Sequence, residues 1–306
     1  MSTSSLRPSA IIDHIVILLP LEDFNNIPLW LRDNFTIIEG GKHTTGRSSN
    51  KLIPFADGTY LELFTWTAPA PVGDNWELKK PGYIDFSITA ASPPATPESV
   101  YTDVSSRLTH GGDGSLGVSF TPPIDFGRVT PEGQELKFKL LRRKFENAPR
   151  TPSGDEFFPT GRADIPFFCF DVTSRSARIP YTDPTKTTHP CGATGIHSVE
   201  ILVPKEYLGE YLKLYESVMG TKPIPSDEGR GWDFLAGSPV DGCPERYVCV
   251  RAAEGDGERT LLKERGVGIG RVGLALGGKN GEGSAASSEM VPKGELGGGL
   301  CALRLI

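Results

Sequence analysis

"DGTYLELF", residues 57–64, predicts a β-strand that is entered through a turn and carries a carboxylate among apolar side chains. Side chains in a strand alternate between the two faces of a sheet. Tyr60, Glu62 and Phe64 therefore share one face, while the two leucines between them share the other. If those leucines pack in the core, the opposite face of the strand must border an environment that tolerates a carboxylate.

The sequence around this strand predicts a βαβββ module that ends near Trp66. Residues 11–19 are rich in Ile, Val and Leu, which favours a strand, and apolar residues then recur at helical spacing from Phe24 to Phe35. Two more strands follow, within "KLIPFAD" and "TYLELF", on either side of an Asp-Gly turn.

The same order of elements starts twice more. "YIDFSIT" begins a second module, with Thr96 as the N-cap of its helix and "IPFFCFDV" as its last strand. "IHSVEILVP" begins a third, followed by an amphipathic helix and by the strands "RYVCVRAA", "GVGIGRVGLAL" and "LCALRLI". The sequence therefore predicts an α+β fold of repeated βαβββ modules.

The expected organisation follows from these starts. We expect a disordered tail over 1–10, modules one and two over 11–175, and a linker over 176–194. A third module of βαβ type occupies 195–306 and contains a Gly/Ser-rich loop at 277–299.

Composition excludes several classes of protein. The 306 residues carry a net charge of −6, which argues against nucleic acid as a partner, and no apolar run is long enough to span a membrane. Five cysteines without a CxxC pair favour a reducing compartment, so we expect a cytoplasmic protein. We expect a small molecule as the partner, and a homodimer is left open.

His14 and Glu62 are the residues in the first module best suited to chemistry. His14 lies on the first strand and Glu62 on the last, each at a position where an apolar side chain would be cheaper to bury. Together they make half of a metal site for Fe, Mn, Ni or Zn. The alternative is a hydrogen-bonded pair in a cavity without metal.

The segment "GGKHTTGRSSN" is predicted to be a polar loop at the rim, with a tight turn at its glycine pair. His43 could serve there as a general base, and Arg47 and Asn50 could bind substrate oxygens. The alternative is a solvated loop.

"IDHIVILLP", followed by "GGKHTTGRSSNKLIPFADGTYLELF", resembles the glyoxalase-like domain family of the vicinal oxygen chelate superfamily. "PGYIDFSI", "PFFCF" and "HPCGATG" extend the resemblance. It implies paired βαβββ modules whose curved mixed sheets surround a small-molecule cavity, often with a divalent metal ion. It also implies isomerase, lyase, ring-cleavage or drug-sequestering activity.

The resemblance assigns residues to the site. His14 matches the first-strand histidine of the family and Glu62 its last-strand carboxylate, and alignment of "DFSIT" with "DHIVI" adds Asp85 as a metal ligand from module two. If module three is the partner instead, Ser198 takes the place equivalent to His14. Neither pairing completes the four-ligand pattern of the family.

We therefore expect an enzyme that acts on an oxygenated organic metabolite by isomerase, lyase or related acid-base chemistry, assisted by one divalent ion or by none. The alternative is a protein that sequesters a small molecule without turnover. The expected catalytic residues are His14, Glu62, His43 and His189, with His189 taken from the "HPCG" turn of the resemblance. The expected substrate-binding residues are Asn50, Tyr60, Phe64, Asp85 and Arg47.

Overall fold

A computed structural model describes residues 9–91, 95–110, 116–145, 158, 161–227, 229–277, 294–296, 299–301 and 303–306. Module one contains β1 (Ala10–Leu18), α1 (Leu21–Asn25), α2 (Leu29–Asn34), β2 (Ile38–His43), β3 (Ser48–Pro54) and β4 (Tyr60–Trp66). Module two contains β5 (Gly82–Ala90), α3 (Pro97–His110), β6 (Val118–Phe120), β7 (Ile124–Val129), β8 (Glu135–Leu141), β9 (Arg143–Phe145) and β10 (Phe167–Asp171).

The rest of the chain starts with two short helices, α4 (Arg175–Arg178) and α5 (Pro184–Thr187), in and just before the predicted linker. Module three consists of β11 (Ala193–Val203), a 3-10 turn (Lys205–Tyr207), α6 (Leu208–Met219), β12 (Ile224–Pro225), β13 (Trp232–Ala236) and β14 (Arg246–Ala252). After it come α7 (Gly255–Arg265), β15 (Gly268–Leu276), β16 (Gly294–Leu296), β17 (Gly299–Cys301) and β18 (Leu303–Leu305).

Modules one and two together close an eight-stranded barrel in the order β1-β4-β3-β2-β7-β8-β10-β5. Each module contributes the same arrangement, because its first strand pairs parallel with its last, as β1 does with β4 and β5 with β10. Two antiparallel joints, β1 with β5 and β2 with β7, seal the barrel. The structure thus selects module two as the partner of module one.

Module three is a complete βαβββ unit, which is more than the βαβ type expected from the sequence. Its strands lie in a six-stranded sheet of order β12-β13-β14-β11-β15-β18, in which β11 pairs parallel with β14. Register identifies the counterparts of the module-one residues: Ser198 pairs with Tyr247 as His14 does with Tyr60. Ser198 is therefore equivalent to His14, as the alternative alignment predicts.

One apolar core joins the barrel to the six-stranded sheet. It contains outward-facing residues of β1 such as Ile15 and Ile17, together with Val104 of α3 and Leu214 of α6. The buried carboxylate of Asp164 accepts a hydrogen bond from Tyr211 of α6 at 2.7 Å, which fixes that helix against module two. None of the helices in the described ranges is long and apolar enough to cross a membrane.

Several local predictions can be compared with the structure. Ser99 N–H donates to Thr96 Oγ1 at 3.1 Å, so Thr96 caps α3 as predicted. The predicted tail reaches too far, because β1 already begins at Ala10. Residues 1–8 of that tail, and 278–293 and 297–298 of the predicted loop, lie outside the described residues.

Candidate functional site

The barrel encloses a cavity of about 220 Å³. One part of its wall is an apolar cluster that includes Phe64 of β4, Phe138 and Leu140 of β8 and Phe167 of β10. The remainder of the wall is polar and contains two histidines, one glutamate and four arginines. A small molecule in this cavity would therefore contact both apolar rings and charged groups.

Strand alternation in β4 places Glu62 in the cavity. Leu61 and Leu63 belong to the apolar core outside the barrel, whereas Tyr60, Glu62 and Phe64 line the cavity. This is the arrangement expected from residues 57–64.

A β-bulge in β1 places His14 in the same cavity. Between Ile12 and His14 the pairing with β5 slips by one residue, so that Asp13 has no partner of its own. Ile12 packs in the outer core, and His14, two residues later, lines the cavity. Without the bulge these two side chains would share a face.

Glu62 lies between two histidines. Its Oε2 atom is 3.4 Å from Nε2 of His14, and its Oε1 atom is 3.4 Å from Nε2 of His43. Asn50 Nδ2 donates to Oε1 of Glu62 at 2.6 Å. Burial raises the pKa of Glu62, but the hydrogen bond and charge of His43, the charge of His14 and the amide of Asn50 outweigh it and lower the pKa to about 2.

The second ring nitrogen of each histidine is also held. Nδ1 of His14 lies 2.5 Å from Oδ1 of Asp13, and Nδ1 of His43 lies 2.9 Å from Oγ of Ser48. Tyr60 stacks on the His14 ring, with centroids 4.5 Å apart and planes inclined by 16°. The orientation of both imidazoles is therefore fixed on more than one side.

Asp13 is ionised, and this sets the protonation of His14. Burial raises the pKa of Asp13, but the guanidinium groups of Arg175 and Arg178 and the bond to His14 hold it well below its usual value. Arg175 Nη1 donates to Oδ2 of Asp13 at 2.6 Å, and Arg178 Nη2 donates to it at 2.8 Å. An ionised carboxylate only accepts, so Nδ1 of His14 carries a proton.

The Nε2 atoms of both histidines face an ionised Glu62 that also only accepts. A lone pair directed at a carboxylate oxygen would be repelled, so these atoms either carry protons or share a cation with Glu62. The site can therefore hold protons at two atoms next to one fixed negative charge.

The structure does not place Asp85 as a ligand beside His14 and Glu62. Arg143 forms a two-point ion pair with the Asp85 carboxylate, in which Nη1 donates to Oδ1 at 2.6 Å, and Trp76 Nε1 donates to Oδ2 at 2.6 Å. Asp85 is fully buried, and both of its oxygens are engaged. It therefore braces the cavity wall through Trp76 and Arg143.

Two other predicted site residues lie away from the cavity lining. His189 Nε2 bonds to the Pro54 carbonyl at 2.9 Å, its Nδ1 accepts from Thr36 N–H, and its ring packs on Phe35 and Phe55. Its position is thus explained by packing and backbone hydrogen bonds. Arg47 is exposed, and its guanidinium donates to the Pro69 carbonyl at 3.0 Å.

The polar segment 40–50 forms a hairpin of β2 and β3, and the glycine pair lies inside β2 and not at a turn. A Cβ atom on Gly40 would lie 2.1 Å from Oδ1 of Asn50 and 2.9 Å from Nη1 of Arg128. Glycine is therefore needed here so that Asn50 and Arg128 can approach the strand.

Asp13, Ser48, Arg128 and Arg178 belong to the site and were not identified from the sequence. Asp13 precedes His14, and strict alternation assigns it to the outer face. Arg178 lies in the predicted linker, yet Nη1 donates to the Tyr60 hydroxyl at 2.8 Å. The one available signal was the "DH" pair, since a carboxylate beside a mid-strand histidine is costly to bury without a partner.

The divalent ion that the sequence resemblance implies can be compared with this donor set. Two imidazole nitrogens and one carboxylate suit Fe, Mn, Ni or Zn, and each histidine has its second nitrogen held, as is usual for ligating histidines. His14, His43 and Glu62 are therefore the residues that would hold such an ion. His43 would be the third ligand instead of Asp85. Among the described residues, no three His, Cys, Asp or Glu side chains form a ready-made metal cluster.

Paired βαβββ modules that close around a polar cavity define the class of protein. A family model described as "Glyoxalase-like domain" matches residues 12–217, which include both barrel modules and the first strand and most of the helix of module three. The chain belongs to this glyoxalase-like domain family, so the resemblance seen in the sequence is confirmed. No curated protein matches the chain in sequence.

Three solved structures are similar to this chain, and one of them is similar enough to show a shared fold. A hypothetical protein from Staphylococcus aureus aligns with a TM-score of 0.60 and 13% identity, over 97% of this chain and 100% of its own. A mutant of 4-hydroxymandelate synthase from Streptomyces coelicolor aligns with a TM-score of 0.47 and 12% identity, over 89% of this chain and 72% of its own. The 2,3-dioxygenase LapB from Pseudomonas sp. KL28 aligns with a TM-score of 0.39 and 11% identity, over 89% of this chain and 77% of its own. The first shows a shared fold, and the other two scores are too low to bear on function.

Proposed function

We propose that this protein is an enzyme that moves a proton on a small oxygenated organic molecule bound in the barrel, in a reaction of the isomerase or lyase type. The observation that carries the proposal is the placement of Glu62 between the Nε2 atoms of His14 and His43, 3.4 Å from each. Buried groups with strongly perturbed pKa values in a cavity are typical of catalytic sites.

The histidines exchange the proton in this proposal. Asp13 holds the Nδ1–H of His14, so Nε2 is the atom that gives a proton to the substrate or takes one from it. His43 is held at Nδ1 by Ser48 and acts in the same way. A histidine that has given its Nε2 proton to the substrate or to solvent can then accept one, so two such groups on one cavity allow one to remove a proton while the other supplies it.

Glu62 acts as the fixed charge. With its pKa at about 2, it stays ionised at neutral pH and is a weak base. Its role is to stabilise the imidazolium that forms when either histidine takes up a proton. A divalent ion held by His14, His43 and Glu62 would supply polarisation of a substrate carbonyl.

Proton exchange with solvent tests the proposal without knowledge of the product. Small ketones and 2-oxo acids are incubated with the protein in D₂O, with and without added Mn²⁺, Zn²⁺, Ni²⁺ or Fe²⁺, and deuterium at the carbon next to the carbonyl is followed by NMR. We expect exchange with the wild type and a loss of about 100-fold or more in His14→Gln. His110→Gln is the matched control, because His110 is exposed at the end of α3.

Exchange that is equal in His14→Gln and in the wild type would refute the assignment of His14. Tight binding of these compounds without exchange or turnover would favour sequestration over catalysis.

The cytoplasm is the compartment we propose. Cys169, Cys191, Cys243 and Cys249 are free thiols in the described part of the chain, which suits a reducing environment.

A further inference from the structure

Arg128 is a buried cation in the cavity wall. It lies on β7, opposite His43 across the joint between the two barrel modules, and is 4% exposed. Its Nη1 donates to Oδ1 of Asn50 at 3.3 Å and its Nη2 to the carbonyl of Arg178 at 2.6 Å, while its Nε–H has no hydrogen-bond partner. Both of its acceptors are neutral oxygens.

The other arginines of the cavity are all neutralised by carboxylates. Arg178 pairs with Asp13, Arg143 with Asp85, and Arg142 with Asp74. Arg128 forms no ion pair with any of the residues that the structure describes. A buried guanidinium without a counter-ion is unfavourable, so the free cavity is electrostatically incomplete at this point.

Glu62 does not fill this gap. The amide of Asn50 stands between the two groups, because its Nδ2 donates to Glu62 while its Oδ1 accepts from Arg128. Glu62 already faces His14 and His43 as well. The Glu62 carboxylate therefore contacts the histidines and Asn50 and acts on Arg128 only through space, so the place of a carboxylate in contact with Arg128 is left to a ligand.

The rest of the wall indicates what else that ligand carries. Seven aromatic side chains line the cavity: Tyr60, Phe64, Trp66, Trp76, Phe126, Phe138 and Phe167. The indole N–H of Trp66 is buried without a partner. A ligand that suits this wall has an apolar, flat body and offers acceptor oxygens to unpartnered donors.

We propose that Arg128 binds a carboxylate of the substrate, and that the substrates are small organic acids with a flat, apolar body. The proposal rests on the proposed function in using the same cavity, with the acid group held on module two while the histidines of module one face the reacting carbon. Arginine suits this role because its planar donors match the two oxygens of a carboxylate.

Benzoate and benzamide test the charge requirement directly. They have nearly the same shape, but only benzoate is an anion at neutral pH. Binding is measured by calorimetry and by the fluorescence of Trp66 and Trp76, which lie in the cavity wall. We expect the wild type to bind benzoate about tenfold or more tightly than benzamide. Equal affinities, or no benzoate binding at about 10 mM, would overturn the proposal.

Variants of Arg128 identify the residue responsible. Arg128→Met is expected to weaken benzoate binding about tenfold or more and to leave benzamide unchanged, whereas Arg128→Lys keeps the preference for the anion. Arg47→Met is the matched control, because Arg47 is an exposed arginine outside the cavity. Persistence of the benzoate preference in Arg128→Met, with near-UV circular dichroism like that of the wild type, would refute the proposal.

This binding readout is independent of catalysis. If proton exchange fails in the D₂O assay while Arg128 still selects benzoate, the proposed function is wrong and the anion site stands. If exchange occurs but Arg128→Met binds both compounds as the wild type does, the proposed function stands and the anion site is wrong.

Discussion

Asp13 and His14 are neighbours in sequence whose side chains meet inside the protein, with Oδ1 of Asp13 2.5 Å from Nδ1 of His14. A carboxylate behind a catalytic imidazole fixes its orientation and its tautomer. Here the carboxylate is itself held by Arg175 and Arg178, so the pair belongs to a larger buried ion network.

Asp13→Asn is expected to act on both stability and catalysis. Removing one partner of a buried ion network costs about 3–5 kcal/mol in the free energy of unfolding, measured by urea denaturation. Asp256→Asn is the control, because Asp256 is fully exposed in its pair with Arg259. In Asp13→Asn molecules that remain folded, kcat should fall while KM changes little. An unchanged kcat would show that Asp13 does not position His14.

Asp164 makes the stability of the protein dependent on acid pH. Burial raises its pKa, but the Arg162 guanidinium and the Tyr211 hydroxyl outweigh this and lower it below the usual value of 3.8. The unfolded chain therefore takes up this proton first as the pH falls. The stabilisation is complete above about pH 4 to 5 and is lost as the pH falls through the folded pKa.

The measurement is urea denaturation of the wild type and of Asp164→Asn from about pH 6 down to about pH 2. The variant should lose less stability over this range, because it lacks the titrating group. Parallel curves for the two proteins would contradict the assignment.

Gly40→Ala should disturb the site without removing a charged group. The added Cβ would lie 2.1 Å from Oδ1 of Asn50, so Asn50 must move away from Glu62 and Arg128. We expect a loss of about 1–3 kcal/mol in stability and weaker benzoate binding. Gly209→Ala in α6 is the control, since nothing lies within 4 Å of its added Cβ, and it should stabilise slightly. Wild-type stability and binding in Gly40→Ala would mean that the contact relaxes freely.

A divalent ion added to metal-free protein should bind through His14, His43 and Glu62. His43→Ala is then expected to lower the affinity measured by calorimetry by about 10-fold or more. Asp85→Asn should leave it within about twofold, because Asp85 is engaged by Arg143 and Trp76. A large loss of metal affinity in Asp85→Asn, with no loss in His43→Ala, would instead support the ligand set expected from the sequence.

Alternation and module order were accessible from the sequence, because they depend on local periodicity. The faces of Tyr60, Glu62 and Phe64 follow from a regular strand, and β4 is regular. The place of Asp13 was not accessible, because a bulge of one residue reverses the faces and leaves no mark in the composition.

Partners that are distant in sequence explain the other differences between the predicted site and the observed one. Asp85 was a fair ligand candidate by alignment, but Arg143, 58 residues away, occupies its oxygens. His189 lies beside a proline in a turn, and nothing in the local sequence reveals that Pro54 and Thr36 hold its ring. Such contacts are set by how the modules close on each other.

In the proposed function, the two halves of the barrel have different roles. His14, His43 and Glu62 all come from strands of module one, whereas Arg128 and most of the aromatic wall come from module two or the segment before it. Substrate preference can therefore change through substitutions in one repeat while the reaction chemistry stays intact in the other. A duplicated unit of this kind allows evolution to exchange the compound that is processed without rebuilding the machinery that processes it.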